Sequence, residues 1–229
     1  MSGSAALKIS LMHGWGFDAS LWSKVLPLLQ PLDVEVADMG YFAQALAPVP
    51  RRNATERRIA VGHSLGAAWW LTQTQLDWQA LVIINGFTRF TATTDFPHGA
   101  APRVLKRMQL RFKSDSAAKV LADFHLTCGA GLVSDSGSPF PPLPEDTQAL
   151  AAGLESLSQI DGRLELAQRQ PDIWVLASRD DQIVPAAMSA AAFSGLPSHQ
   201  FRWVEDGNHV LPISQPQACA ALIRAAANA

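Results

Sequence analysis

The chain has 229 residues, a length suited to one medium domain with room for an inserted subdomain. Its 48% apolar and 17% charged residues exclude a disordered chain, and a formal net charge of −2 gives no footing for nucleic acid as the main partner. Two cysteines, Cys128 and Cys219, are too few for a disulfide framework and match no zinc spacing, so they read as free thiols.

The opening MSGSAALKISLMHGWG lacks a basic segment followed by a long apolar run and makes a poor signal peptide. No apolar stretch approaches the ~20 residues that span a bilayer. The expectation is a soluble, cytoplasmic protein with no membrane partner.

Residues 8–12 form an apolar strand pattern ending at His13-Gly14-Trp15-Gly16. A helical pattern follows, with Leu21, Trp22, Val25, Leu28 and Leu29 on one face. Residues 34–37 read as a second strand. Residues 58–61 lead into Gly62-His63-Ser64-Leu65-Gly66, residues 67–76 read as a buried helix, and residues 80–84 are another strand ending at Asn85-Gly86. From residue 87 to 169 the pattern is helical without convincing strands, with helices expected at 102–112, 116–127 and 145–159 and a Gly/Ser/Pro-rich loop at 129–144. Strands resume at 173–177 and 201–204, and a helix over 215–227 closes the chain. No internal repeat is visible.

Short apolar strands alternating with helices imply an α/β fold, a mostly parallel central sheet with helices on both faces. Residues 87–169 then read as a helical lid inserted late in the sheet. The core would be residues 1–86 and 170–229. Such an insertion sits above the carboxyl ends of the strands, where ligands bind.

Gly62-His63-Ser64-Leu65-Gly66 fits G-x-S-x-G between a strand and a helix, the setting a nucleophile elbow requires. The turn is sharp, so Gly62 and Gly66 leave space where larger side chains would collide, and the Ser64 hydroxyl is held clear of the backbone. A serine hydroxyl needs a base. His209 follows the 201–204 strand and the polar turn Glu205-Asp206-Gly207-Asn208, on a loop where it could face Ser64. The acid that orients the base would follow the 173–177 strand, where Asp180 and Asp181 compete. Asp181 fits better, standing four residues before the helix-starting Pro185, with Asp180 a solvated or capping neighbour. The order Ser64, Asp181, His209 is nucleophile, acid, base. Oxyanion donors are expected from the backbone N–H groups of Leu65 and Trp15. His13 reads as a brace for its turn, Trp69-Trp70 as core packing and the Ala-rich end as a surface helix.

These residues resemble the α/β-hydrolase superfamily. The turn at 13–16 with Phe17-Asp18-Ala19 and Leu21-Trp22, the lid stretches Asp95-Phe96-Pro97, 102–113, 118–129 and Gly153-Leu154-Glu155 are similar, more narrowly, to the pimeloyl-[acyl-carrier protein] methyl ester esterases of biotin synthesis. The resemblance covers nearly the whole chain. It implies hydrolysis of a methyl ester on a dicarboxylic acyl chain carried by acyl-carrier protein, with Trp15, Leu65 and Phe124 lining the acyl pocket and no metal or organic cofactor. The sequence departs from that family at Asp38-Met39-Gly40-Tyr41-Phe42, where an Asp-x-Pro-Gly-x-Gly stretch is usual, and in a short segment from there to Arg58. Among the basic lid residues that read the acidic carrier, only Lys119 falls in a matching place, and Asp123 stands where another is expected. Arg103, Arg107 and Arg111 instead recur every four residues on one helical face, with Lys106 and Lys113 nearby. That row is either a solvated face or a relocated docking site for the carrier. The same triad would also serve a general carboxylesterase or thioesterase, or a carbon–carbon bond hydrolase. A non-catalytic binding protein on this scaffold is disfavoured because every catalytic motif is present.

Overall fold

The computed structural model describes residues 6–48, 56–73, 75–114, 116–129, 140–169, 172–193 and 195–229. Most of the loop expected at 129–144 lies outside them. Six strands, β1 (Leu7–Met12), β2 (Asp33–Ala37), β3 (Arg57–His63), β4 (Ala80–Ile84), β5 (Asp172–Ser178) and β6 (Phe201–Val204), form one sheet in the order β2-β1-β3-β4-β5-β6. Every pair is parallel. The helices are α1 (Leu26–Leu29), α2 (Leu65–Thr72), α3 (Pro102–Phe112), α4 (Ala117–Thr127), α5 (Gln148–Gln159), α6 (Arg163–Arg169), α7 (Ala186–Phe193), α8 (Leu211–Ser214) and α9 (Pro216–Asn228).

The central strands β3, β4 and β5 are buried on both faces, which is why they read as largely apolar runs, while the edge strands β2 and β6 are partly exposed. Alternate residues go to opposite sides. Ile9, Leu11, Ile59, Val61, Val82 and Ile84 pack with Trp22, Leu29 and the α9 residues Leu222, Ile223 and Ala226. Ala60, Leu81, Ile83, Ile173 and Val175 pack with Trp70 and Leu71 of α2 and Phe193 of α7. Burying a side chain of this size contributes about 1.5–3 kcal/mol. The Ala-rich C-terminal helix thus lies at the surface with one face in the core.

The single helix expected across residues 21–29 is instead a 3₁₀ turn, Ala19–Trp22, and the short α1. The Asp18 carboxylate caps the turn by accepting the Ser20 N–H at 2.9 Å, and Pro27 near the start of α1 has no N–H to continue an earlier helix. Helix α2 starts two residues earlier than expected, directly after Ser64, and stops at Thr72. Helices α6 and α8, of seven and four residues, are too short to be legible as helices. Trp70 is buried, its indole N–H donating to the Val61 carbonyl at 3.1 Å.

Between β4 and β5 the described residues hold α3 to α6 and isolated bridges, with no strand. Helices α3, α4 and α5 share a second core, while Leu166 of α6 packs against the core beside α2. Leu105, Phe112, Val120, Leu121, Leu150, Leu154 and Leu157 meet Trp15, Tyr41, Leu65 and Phe87 at the carboxyl edge of the sheet. No helix among the described residues is long and apolar enough to cross a membrane.

Candidate active site

All sequence-designated site groups of the core lie at the carboxyl edge of the sheet, because each follows the end of a parallel strand. Ser64 comes directly after β3 with φ 54° and ψ −123°, a conformation costly for a residue with a side chain. The glycines around it make the turn feasible. A Cβ on Gly62 would stand 2.3 Å from the backbone of Ala67, and one on Gly66 would stand 2.5 Å from the carbonyl oxygens of Met12 and His13. The Ser64 N–H donates to Ile84 O at 3.1 Å, tying the elbow to β4.

His209 is fully buried. Its Nδ1 lies 2.8 Å from Asp181 Oδ2. A carboxylate only accepts, so Nδ1 carries the hydrogen, and in the neutral ring Nε2 is the acceptor. That Nε2 is buried and meets no partner among the described residues. The other Asp181 oxygen accepts the N–H groups of Ile183 at 2.7 Å and Val184 at 2.9 Å, which fixes the carboxylate. Asp180 turns the other way, to the Ser178 hydroxyl and the Asn208 N–H. Burial alone would raise the Asp180 pKa, but those hydrogen bonds outweigh it and hold it below the usual carboxylate range.

Two further side chains hold the histidine loop, and sequence reasoning missed both. Asn85, with φ 43° at the end of β4, donates to Asn208 O at 2.7 Å and His209 O at 2.9 Å while accepting the Ser178 N–H at 2.8 Å. His63 Nε2 donates to the same His209 carbonyl at 2.9 Å. Burial, with the neighbouring His209 second, drives the His63 pKa well below 6.5, so the ring is neutral. The only sequence signal was the Asn85-Gly86 pair at a strand end.

The turn at residues 13–16 runs beside Ser64. A Cβ on Gly14 would stand 2.7 Å from Ser64 Cβ. The Leu65 N–H opens α2, where no intrahelical acceptor exists. His13 braces the turn. Its Nδ1 is 2.9 Å from Gly14 O and its Nε2 is 3.0 Å from Met39 N and 3.1 Å from Asp38 Oδ1. Asp38, in the segment that departs from the family pattern, also accepts the N–H groups of Ala19 at 2.8 Å and Gly40 at 2.7 Å. Burial would raise its pKa, but the bond to His13 and these backbone donors lower it overall.

A cavity of about 380 Å³ reaches Ser64 and is lined chiefly by Trp15, Phe90, Leu105, Met108, Phe124 and Ile183. Trp15 and Phe124 meet on the wall of this cavity, with their rings edge-on at 4.8 Å. The Leu65 side chain lines a different cavity of about 730 Å³ with Tyr41 and Trp69, so it does not wall the first. Arg107 and Arg111 line the first cavity at α3, while Arg103 is exposed a turn away. Arg111 stands 3.7 Å from Asp123, and Lys119 stands 3.2 Å from the same carboxylate. Cys128 and Cys219 are buried free thiols, and burial pushes the Cys128 pKa well up, with the Asp181 charge adding to it.

The chain resembles the Biotin biosynthesis bifunctional protein BioHC of Cellvibrio japonicus, 29% identical over 226 residues, covering 90% of this chain but only 45% of that protein. It resembles a Pimeloyl-[acyl-carrier protein] methyl ester esterase of Neisseria meningitidis, 26% identical over 250 residues, covering 96% of this chain and 92% of that one. Among solved structures, a bromoperoxidase from Bacillus anthracis superposes with a TM-score of 0.78 at 17% identity, covering 98% of this chain and 92% of that chain. An esterase from Exiguobacterium antarcticum gives 0.77 at 14% identity, covering 99% and 93%. The model of the alpha/beta hydrolase family matches residues 11–222, and the chain belongs to that family.

Proposed function

We propose that this chain is a serine carboxylesterase with Ser64 as nucleophile, His209 as base and Asp181 as the orienting acid. One observation carries this reading. A buried imidazole is anchored through Nδ1 by a fixed carboxylate, while its unpartnered Nε2 lies at the same sheet edge as a serine elbow open to an apolar cavity. Residues 87–169 serve as a lid over a core of residues 1–86 and 170–229.

In the cycle, His209 Nε2 takes the Ser64 proton as Oγ bonds to the ester carbonyl carbon. The backbone N–H groups of Trp15 and Leu65 hold the oxyanion. The tetrahedral intermediate collapses with loss of the alcohol, which leaves with the proton from His209. Water then gives its proton to His209 and its oxygen to the acyl carbon, and Ser64 leaves with the proton restored.

The substrate is the methyl ester of pimeloyl-acyl-carrier protein, a reading supported by the names of the relatives across nearly the whole chain. The carrier docks on the basic face of α3, through Arg103, Arg107 and Arg111, with Lys119 nearby on α4. Its acidic surface complements this row, two of whose members line the Ser64 cavity.

The test compares initial rates on that carrier-bound ester and on a short p-nitrophenyl ester, for wild type and Ser64→Ala, at low and high salt. The reading expects a strong preference for the carrier-bound ester, weakened by salt, and a loss on the order of 10⁶ in kcat for Ser64→Ala. Turnover of the small ester alone would leave an esterase without the carrier. Full activity of Ser64→Ala on either ester would remove Ser64 as nucleophile.

A further inference from the structure

The turn that carries the Trp15 N–H is held from above as well as from below. His125 of α4 is buried, and its Nε2 lies 2.7 Å from the Gly16 carbonyl oxygen. A carbonyl only accepts, so Nε2 carries the hydrogen and donates it. The Trp15 indole N–H donates to the Leu150 carbonyl of α5 at 2.8 Å. Gly16 has φ +75°, and a Cβ there would stand 3.0 Å from Phe124 and 3.3 Å from Leu121, both on α4. A Cβ on Gly153 of α5 would stand 2.6 Å from the Trp15 ring. Two lid helices thus grip two consecutive residues of one short turn, each through a hydrogen bond.

An oxyanion donor works only when its direction is set before charge develops, and a glycine-flanked turn does not hold a direction by itself. From below, His13 Nδ1 lies 2.9 Å from the Gly14 carbonyl oxygen, which shares its peptide plane with the Trp15 N–H. On the other side of Trp15, the Gly16 carbonyl, part of the Gly16–Phe17 peptide, accepts from His125 and fixes where the turn leaves. We propose that His125 is a positioning residue for the oxyanion turn, so that α4 takes part in the chemical step through its imidazole rather than only covering the substrate. The inference rests on the serine-esterase reading above. The His125 ring is wedged against Phe17, with centroids 5.6 Å apart, and Phe140, at 4.6 Å, so its donor is aimed without freedom to swing away. Burial lowers its pKa, so the donor is the neutral imidazole. A corollary is that α4 and α5 stay closed on the turn during the reaction.

The test uses His125→Phe, which keeps a ring between Phe17 and Phe140 but removes the donor, and His125→Gln, which keeps an N–H donor. The readouts are kcat and KM on a short p-nitrophenyl ester and the inhibition constant of a trifluoromethyl ketone of matching chain length, whose adduct with Ser64 carries an oxyanion. We expect kcat in His125→Phe to fall about tenfold with KM within about twofold, and the ketone constant to rise by a similar factor. His125→Gln should recover most of both. Should His125→Phe fail to fold, His125→Leu reads the same quantities. Loss confined to KM or to thermal stability, with the ketone constant unchanged, overturns the inference. Ser64→Ala separates the two readings: if it stays active the esterase site itself falls, and if it is dead while His125→Phe matches wild type only the inference does.

Discussion

Replacing Asp181 with asparagine tests its proposed role as the orienting acid. The side chain has two oxygens with different tasks. Oδ1 accepts two backbone N–H groups, from Ile183 and Val184, and Oδ2 accepts the His209 Nδ1–H. Asparagine has one acceptor oxygen. If that oxygen stays on the two N–H groups, the amide NH₂ faces His209 Nδ1, and the imidazole must move its hydrogen to Nε2 to avoid opposing donors. The base then has no lone pair for Ser64. If the amide flips, two N–H groups lose their acceptor, at about 1–3 kcal/mol each, so the first arrangement wins. The expected loss in kcat is about 10⁴-fold with KM little changed, and stability falls by only about 1 kcal/mol because a hydrogen bond is kept with its direction reversed. Initial rates and thermal melts on Asp181→Asn and Asp180→Asn give the comparison. Asp180 reaches Ser178 and the Asn208 N–H, so its variant should keep kcat within about tenfold. Activity of Asp181→Asn within tenfold of wild type, or a deeper loss in Asp180→Asn, would refute this reasoning.

Asn85→Ala should lower unfolding free energy by about 2–4 kcal/mol, since it strips partners from the Ser178 N–H and the Asn208 carbonyl while His63 still holds the His209 carbonyl; denaturant unfolding measures it, and a loss under about 1 kcal/mol contradicts the bracket. The neutral, buried His63 and His125 have folded pKa values below 6.5, so below about pH 6.5 the unfolded chain binds protons that the folded chain refuses. Their stabilisation is complete above pH 6.5 and is lost as pH falls, with a slope of up to about 1.4 kcal/mol per unit for each histidine. Melting temperature should therefore drop between pH 7.5 and 5.5, before the lowered carboxylates Asp38, Asp161 and Asp180 titrate, and a flat profile would count against it. Changing Arg103, Arg107 and Arg111 together to Glu should reduce kcat/KM on carrier-bound ester at least about tenfold more than on a small neutral ester, because steering acts on the acidic carrier; an equal loss on both would remove α3 as the docking face.

Much of the fold was legible because burial on both faces writes the central strands as apolar runs, while the partly exposed edge strand at 201–204 still carries Phe, Trp and Val. Residues 80–84 and 201–204 were bounded as they fold, and 8–12, 58–61 and 173–177 fell inside longer strands. Helix α3 was legible to its last residue, since Pro102 opens it and its basic and apolar faces alternate with helical period. The stretch at 21–29 misled because its apolar spacing is helical while Asp18 and Pro27 divide it locally. The candidate site was legible wherever a motif also carries its own local geometry. Gly62 and Gly66 are needed by the elbow itself, so Ser64 stands out in one dimension.

By itself, then, the sequence determined the strand–helix alternation, the elbow at Ser64, and the placement of an acid and a histidine after later strands, because each depends on near neighbours. Only the tertiary structure decided which of two adjacent aspartates meets His209, a contact across 28 residues. It alone turned Leu65 toward a second cavity and set Arg107 and Arg111 on the wall of the first. It alone joined Asn85 and His63 to the histidine loop and His125 to the turn at residues 13–16, across 124, 146 and 109 residues. The physical reason is that a side chain's direction and partners follow from how strands register and helices dock, and no local pattern of residue types encodes a contact made so far along the chain.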